Sequence, residues 1–510
     1  MNKSIRIALA IVVAAGVLAW KHWHGAPDWP QAARGGFVVP PDATSFRAGQ
    51  LDFRACELKQ RNSAATTAAF CAPFQVPENW DAPQSSRKID LRVALIASSA
   101  ALAERDLVVL LAGGPGQSAI DVWPQTAGAF APLLKHRHVL LLDQRGTGGS
   151  NALTCKRDPA TDEGFDLDKI NVYTRACLVA TEQHADPRFY TTGMALRDLE
   201  ALRLALGAPP LDLIGVSYGT RVAQQYMHRY PDAVRSVVLD SAVPNAQVLG
   251  SDFAVNLEVA LQAQFALCTK TPTCAHAFGD PWANLNKLRD VLHAQPVEVS
   301  YRDPVAGAAK TMHLDDASLA TLVRMYAYTP ETSALLPLSI AHALRGDPAP
   351  LASQVQMLST ELEGLSDNAM QLSVLCSEDV DLLTTRPQDA GTLLGMRLSE
   401  AIKAQCAVWP HGTRSADFHA PLVSAKPVLI LSGQFDPVTP PRYAEEIAKT
   451  LSNARVLVAS GQGHSVMGRG CFPKLVGRFV ETLDARTLDA GCIAAFGPTP
   501  AFISFNGAAP

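Results

Sequence analysis

One pentapeptide constrains this chain more than anything else in it. The apolar run Leu211 to Gly215 leads without a break into Gly215-Val216-Ser217-Tyr218-Gly219, and a helical stretch from Tyr218 to Arg229 follows at once. A serine on so abrupt a strand-to-helix turn must take backbone angles that most residues avoid. The flanking glycines provide clearance, because a side chain at Gly215 or Gly219 would collide with neighbouring backbone. The turn lifts the Ser217 hydroxyl out at the sheet edge and aims the N-terminus of the next helix at negative charge forming there. The bare pattern is weak, arising by chance in roughly one chain in seven of this length. Its placement between strand and helix removes most of that background.

Such a turn belongs in a parallel sheet, and the flanking sequence supplies one. Leu107 to Leu111 and Val139 to Leu142 are short continuous apolar runs of the kind buried on both faces, while Ile89 to Ile96 alternates like a half-buried strand. Met194, Leu196, Leu199, Leu202, Leu204 and Leu206 have helical spacing closed by Gly207, and Val234 to Leu239 forms another buried run after Pro231. Helices alternating with parallel-type strands define an α/β chain with a mostly parallel central sheet, the α/β-hydrolase fold. The rhythm stops near Pro244, gives way to helical-looking sequence with turns at Pro272, Pro330 and Pro348, and resumes with strands at Val428 to Leu431 and Arg455 to Val458. The predicted organisation is therefore a leader at 1–24, a linker at 25–50, a core at 51–244, an inserted helical cap at 245–410 and the rest of the core at 411–510.

The chemistry-bearing residues follow in the order this fold requires, serine, acid, histidine. Asp436 lies in Ser432-Gly433-Gln434-Phe435-Asp436-Pro437-Val438-Thr439-Pro440, just past one buried strand, and His464 lies in Gly461-Gln462-Gly463-His464-Ser465, just past the next. In these roles Ser217 is the nucleophile, His464 the general base, and Asp436 the acid that holds the imidazole tautomer. Most of the 13 histidines, including His136, His138 and His228, read as solvated surface residues. Asp240, which also ends a predicted strand, is the rival acid; only Asp436 lies between serine and histidine. A second glycine turn, Ala112-Gly113-Gly114-Pro115-Gly116, follows the strand ending at Leu111. The amides of Gly114 and Tyr218 are assigned to the oxyanion hole.

Charge and cysteines narrow the setting. A net charge of -4 leaves no basic footprint for nucleic acid, and no polybasic stretch beyond the extreme N-terminus marks an anionic membrane surface. Lys3 and Arg6 precede the apolar run Ile7 to Trp20, the pattern of an export signal, and the run falls short of the about 20 apolar residues of a comfortable membrane span. Val17-Leu18-Ala19 offers a small-residue cleavage site, but Trp20, Lys21, His22 and His24 follow it, so the segment is either removed or kept as an anchor. Either outcome puts the protein outside the cytoplasm, periplasmic or secreted. Ten cysteines without zinc-ligand spacing are read as disulfides. Their connectivity is open from sequence; pairing of chain neighbours would join 56 with 71, 155 with 177, 268 with 274, 376 with 406 and 471 with 492. No metal or organic cofactor is implied, and no feature sets an oligomeric state.

Four segments together resemble the exported prolyl- and tripeptidyl-aminopeptidase group of α/β-hydrolases. They are Gly113-Gly114-Pro115-Gly116, Asp143-Gln144-Arg145-Gly146-Thr147-Gly148-Gly149-Ser150, the elbow with Tyr218 after its serine, and the pair Asp436-Pro437-Val438-Thr439-Pro440 with Gly463-His464. Cys376-Ser377-Glu378 and Cys406 resemble the C-terminal portion of the tripeptidyl-aminopeptidase branch. Ala112 stands where that group has histidine, which weakens strict proline specificity. The resemblance implies cleavage of short peptides from a free N-terminus, with a cap limiting length and a carboxylate meeting the substrate ammonium; Glu378 is the candidate. Asp143 and Arg145 are expected to form an ion pair fixing the loops rather than to act in catalysis. An exported esterase or lipase is the competing reading, since the same groups serve esters. A binding protein that kept the fold without activity is disfavoured because all three catalytic residue types are present.

Overall fold

The short apolar runs become strands because each can bury both faces at once. In the computed structural model, which describes residues 39–508 apart from 41, 60–65, 101, 156–165, 305 and 364–368, they assemble into a ten-stranded sheet. The leader and most of the linker lie outside the described residues. The strands are β1 (Ser45–Ala48), β2 (Leu51–Lys59), β3 (Thr66–Pro77), β4 (Lys88–Ile96), β5 (Val108–Leu111), β6 (Val139–Leu142), β7 (Leu211–Val216), β8 (Val234–Asp240), β11 (Val428–Gly433) and β12 (Ala454–Ala459), with β9 (Val297–Arg302) and β10 (Ala309–Leu314) forming a separate hairpin. The sheet order is β1-β2-β3-β4-β6-β5-β7-β8-β11-β12. From β6 to β12 every pairing is parallel; β1 to β4 and the β4–β6 join are antiparallel.

Side chains alternate between two cores, as strand geometry demands. On one face Val109, Leu213, Val237, Leu239 and Ile430 pack with Leu199 and Leu202 of the helix Thr192–Leu206 and with Val222 and Tyr226 of the elbow helix Tyr218–Arg229. On the other face Val108, Leu110, Ile214, Val238 and Leu429 pack with Trp123 and Phe130 of the helix Ala119–Leu134 and with Phe472 and Phe479 of the helix Phe472–Thr482. Gly207, in the left-handed region at φ 63°, closes the helix Thr192–Leu206 as its position predicts.

Two boundaries differ from the sequence reading. The sheet begins at Ser45, inside the stretch taken as linker, because β1 is four residues long and only one of them, Ala48, is buried. The insertion also divides in two. Leu257, Phe265, Leu285, Leu319, Leu322, Leu351 and Leu358 make a core of the cap's own, roofed by the β9–β10 hairpin that a helical reading misses. By contrast Met370, Leu372 and Val374 of the helix Met370–Glu378, with Ile402 of the helix Arg397–Cys406, join the main core beside the elbow helix. Helical periodicity shows that a face is buried, not which core receives it.

Five disulfides join the cysteines in chain order: Cys56–Cys71, Cys155–Cys177, Cys268–Cys274, Cys376–Cys406 and Cys471–Cys492. Such bonds persist in oxidising compartments. Among the described residues no helix is long and apolar enough to cross a membrane.

Candidate active site

The elbow forms because only glycine fits on either side of Ser217. A methyl group on Gly215 would lie 2.4 Å from the Gly219 carbonyl oxygen, and one on Gly219 would lie 2.0 Å from that of Leu111, so both positions exclude side chains. Ser217 itself sits at φ 55° and ψ -123°, a strained conformation that over-determined surroundings hold in place. Tyr218 opens the elbow helix, so its N–H has no carbonyl partner one turn earlier within that helix. The glycine turn after β5 packs on the same spot. A methyl group on Gly113 would stand 3.1 Å from Ser217 Cβ, and Gly114 follows at φ 107°. Gly113, which the sequence reading did not single out, is thus pressed against the serine.

His464 and Asp436 meet across the ends of β11 and β12. His464 Nδ1 lies 2.8 Å from Asp436 Oδ2 and 3.0 Å from Oδ1. An ionised carboxylate only accepts, so Nδ1 carries the hydrogen and Nε2 is left with its lone pair. The remaining lone pairs of Asp436 accept the N–H groups of Val438 and Thr439 and the Thr439 hydroxyl. Burial alone would push this carboxyl up; the imidazole and those donors outweigh it and hold Asp436 below the ordinary carboxylate range. Burial likewise pulls the His464 imidazole down, but the Asp436 carboxylate overrides it and leaves the ring above its ordinary value.

Asp240 does different work. It pairs with Val216 in the β7–β8 ladder, and its carbonyl accepts the Ser217 N–H at 2.9 Å. Its carboxylate, pushed up by burial, accepts the N–H groups of Val466 and Met467 and the Ser465 hydroxyl, while Ser465 N–H donates to Ser241 Oγ at 2.7 Å. The segment after His464 is therefore tied to the strand end beside Ser217. The cap holds the histidine from above: the Tyr328 carbonyl accepts the His464 N–H at 2.8 Å, and the Tyr328 ring stands edge-on to the imidazole at 5.1 Å. Ser217 Oγ makes no hydrogen bond among the described residues, an open arrangement common before substrate draws such groups together.

A hydroxyl on a strained elbow, free amides beside it, and an imidazole oriented by a buried carboxylate can together perform acyl transfer. Residues 106–318 match the family model of the alpha/beta hydrolase fold, and residues 392–492 match that of TAP-like proteins. The chain carries an α/β-hydrolase fold with a TAP-like C-terminal region. A serine protease of Mycobacterium tuberculosis, Hip1, is 25% identical over 79% of this chain and 82% of its own length. The tripeptidyl aminopeptidase of Streptomyces lividans is 25% identical over 97% of this chain and 95% of its own. A carboxylesterase B of Mycobacterium tuberculosis is 26% identical over 88% and 89%. The TAP-like hydrolase is an enzyme of the serine hydrolase and peptidase class.

Within this TAP-like hydrolase, Asp143 and Arg145 do not pair with each other. Asp143 accepts the Ser118 hydroxyl and the N–H groups of Ile120 and Gly149, so it fastens the start of the helix Ala119–Leu134. Arg145 is fully buried and binds Asp198 through two bonds of 2.6 Å, with its other N–H groups on the carbonyls of Pro77, Glu78 and Phe189. The planar guanidinium fork needs a carboxylate it can grip side on, which Asp198 offers and Asp143, already engaged, does not. Glu378 is also fully buried: both its oxygens bind Thr192, placing it beneath the elbow helix instead of against solvent. No cluster of three or more metal-ligating side chains occurs among the described residues. Tyr328, Thr192 and Asp198 carry no motif that could have marked them.

Proposed function

We propose that the chain is an exported serine aminopeptidase that removes single residues, dipeptides or tripeptides from the free N-terminus of short peptides. The observation that carries this reading is the His464 Nδ1 to Asp436 contact on a loop anchored beside Ser217. Ser217 Oγ attacks the scissile carbonyl carbon as its proton passes to His464 Nε2, and the amides of Gly114 and Tyr218 receive the oxyanion. The imidazolium then protonates the leaving amine as the C–N bond breaks. A water, deprotonated by the same imidazole, hydrolyses the acyl-Ser217 ester and frees the N-terminal product. Losing one oxyanion donor costs about 3 to 4 kcal/mol in such sites. Similarity to a tripeptidyl aminopeptidase along nearly the whole chain supports peptide over ester substrates, and the leader pattern with five disulfides supports export to the periplasm or medium. An exported carboxylesterase is the second reading, supported by the relative of that name.

The test compares alanyl, prolyl and Ala-Ala-Pro chromogenic amides with their N-acetylated forms and a short-chain ester. Release from the free-amine amides and not from their acetylated forms is expected, with the ester cleaved as well through the same acyl-enzyme. Ester cleavage alone, or indifference to acetylation, assigns the same residues to an esterase or an endopeptidase.

The reaction has a defined pH dependence. His464 must be neutral to accept the Ser217 proton, and its pKa is raised above 6.5, so kcat/KM is full at alkaline pH and falls as pH drops through that raised value. A flat profile between about pH 5 and 8 would contradict His464 as the base.

A further inference from the structure

Glu378 ends the helix Met370–Glu378, and no part of it is exposed. Its Oε1 accepts the Thr192 N–H at 2.6 Å and its Oε2 accepts the Thr192 hydroxyl at 2.8 Å. Thr192 Oγ1 stands 2.6 Å from the Tyr218 hydroxyl, which in turn lies 3.4 Å from Gln144 Nε2. Threonine has one hydroxyl hydrogen, and the carboxylate claims it. The Tyr218 O–H must then donate to Thr192 Oγ1, so the direction of the whole chain is set by the charge on Glu378. Tyr218 is the residue whose backbone N–H opens the elbow helix next to Ser217.

The geometry points to Glu378 as a positioning residue for the oxyanion hole, acting through Thr192 and the Tyr218 hydroxyl on the amide that follows the nucleophile, and releasing that hold when protonated. This rests on the serine-hydrolase reading above. Protonation turns Glu378 from acceptor to donor toward Thr192 and frees the Thr192 hydrogen, so the carboxylate no longer fixes the direction of the bond between Thr192 and the Tyr218 hydroxyl.

The groups around the carboxylate fit this role. Asp379 beside it binds Arg221 of the elbow helix at 2.8 Å and the Leu249 N–H at 3.1 Å, and His419 Nε2 contacts the Glu378 carbonyl at 2.7 Å. Burial, then the Asp379 charge, push Glu378 up to about 7, against the pull of the Thr192 N–H, Arg221 and the Thr192 hydroxyl. The Cys376–Cys406 disulfide fixes the same helix end.

The test uses Glu378→Gln, Thr192→Val and Thr192→Ser in the full chain, with a free-amine peptide amide and an unrelated short ester as substrates. Glu378→Gln and Thr192→Val are expected to lower kcat roughly 10- to 100-fold on both substrates, the scale of a misplaced catalytic group, with little change in KM. Thr192→Ser, which keeps the hydroxyl, is expected to stay near wild type. The acid limb of log kcat/KM in wild type should approach a slope of about 2, from His464 and Glu378, and of about 1 in Glu378→Gln. Wild-type kcat in Glu378→Gln, or a loss confined to KM for free-amine substrates, overturns the proposal, the latter in favour of ammonium binding. If Glu378→Gln does not fold, the Thr192 pair decides: equal turnover of Val and Ser variants overturns it. Failure of the underlying reading is separately visible as activity that survives in Ser217→Ala.

Discussion

Replacing Ser217 with alanine lowers kcat by about 10⁶, the loss seen when a serine hydrolase is deprived of its nucleophile. The effect should be purely chemical. Ser217 Oγ makes no hydrogen bond among the described residues, and alanine meets the same backbone strain at φ 55° that serine does. Far-UV circular dichroism and thermal midpoint should therefore match wild type while turnover of Ala-Ala-Pro amides disappears. Activity within tenfold of wild type would mean that another group attacks the carbonyl.

Asp436→Asn should lower kcat by about 10⁴, because an amide cannot hold the same imidazole tautomer or offset the charge of the imidazolium. The carboxylate is buried with four donors on it, His464 Nδ1 lying within reach of both oxygens, so the variant leaves the shape intact and changes the electrostatics. Asp240→Asn provides the comparison. There the amide would turn an N–H₂ toward the N–H groups of Val466 or Met467, costing about 1 to 3 kcal/mol for the unsatisfied donor and loosening the loop that follows His464. Its expected signature is a lower thermal midpoint with a smaller loss of turnover. A larger loss of turnover in Asp240→Asn than in Asp436→Asn would exchange the roles of the two acids.

The parallel strands were legible because they are buried on both faces: β6 spans Val139–Leu142 as read, and β7, β8, β11 and β12 differ from the reading by one or two residues at an end. The elbow and the order of Ser217, Asp436 and His464 were legible because the fold ties each to the end of such a strand. What stayed hidden depends on contacts between distant segments. The partner of Arg145 is 53 residues away and that of Glu378 is 186 away, and no local pattern marks Asp198 or Thr192 as the acceptor or donor. Tyr328 was invisible for the same reason, since its contact with His464 exists only once the cap has closed on the core. The strands β1 to β3 at one end of the sheet were missed because they are antiparallel and half exposed, with Ala, Pro and Thr diluting the alternation.

Whether Ser217 is an activated nucleophile is tested most directly by labelling the purified wild-type protein with a fluorophosphonate and mapping the adduct by mass spectrometry. The expected result is a single adduct on the peptide carrying Ser217, formed rapidly, slowed strongly in Asp436→Asn and absent in Ser217→Ala. No label under conditions where a known serine hydrolase reacts, or a label on a different residue, would contradict the assignment of Ser217, His464 and Asp436 as the catalytic group.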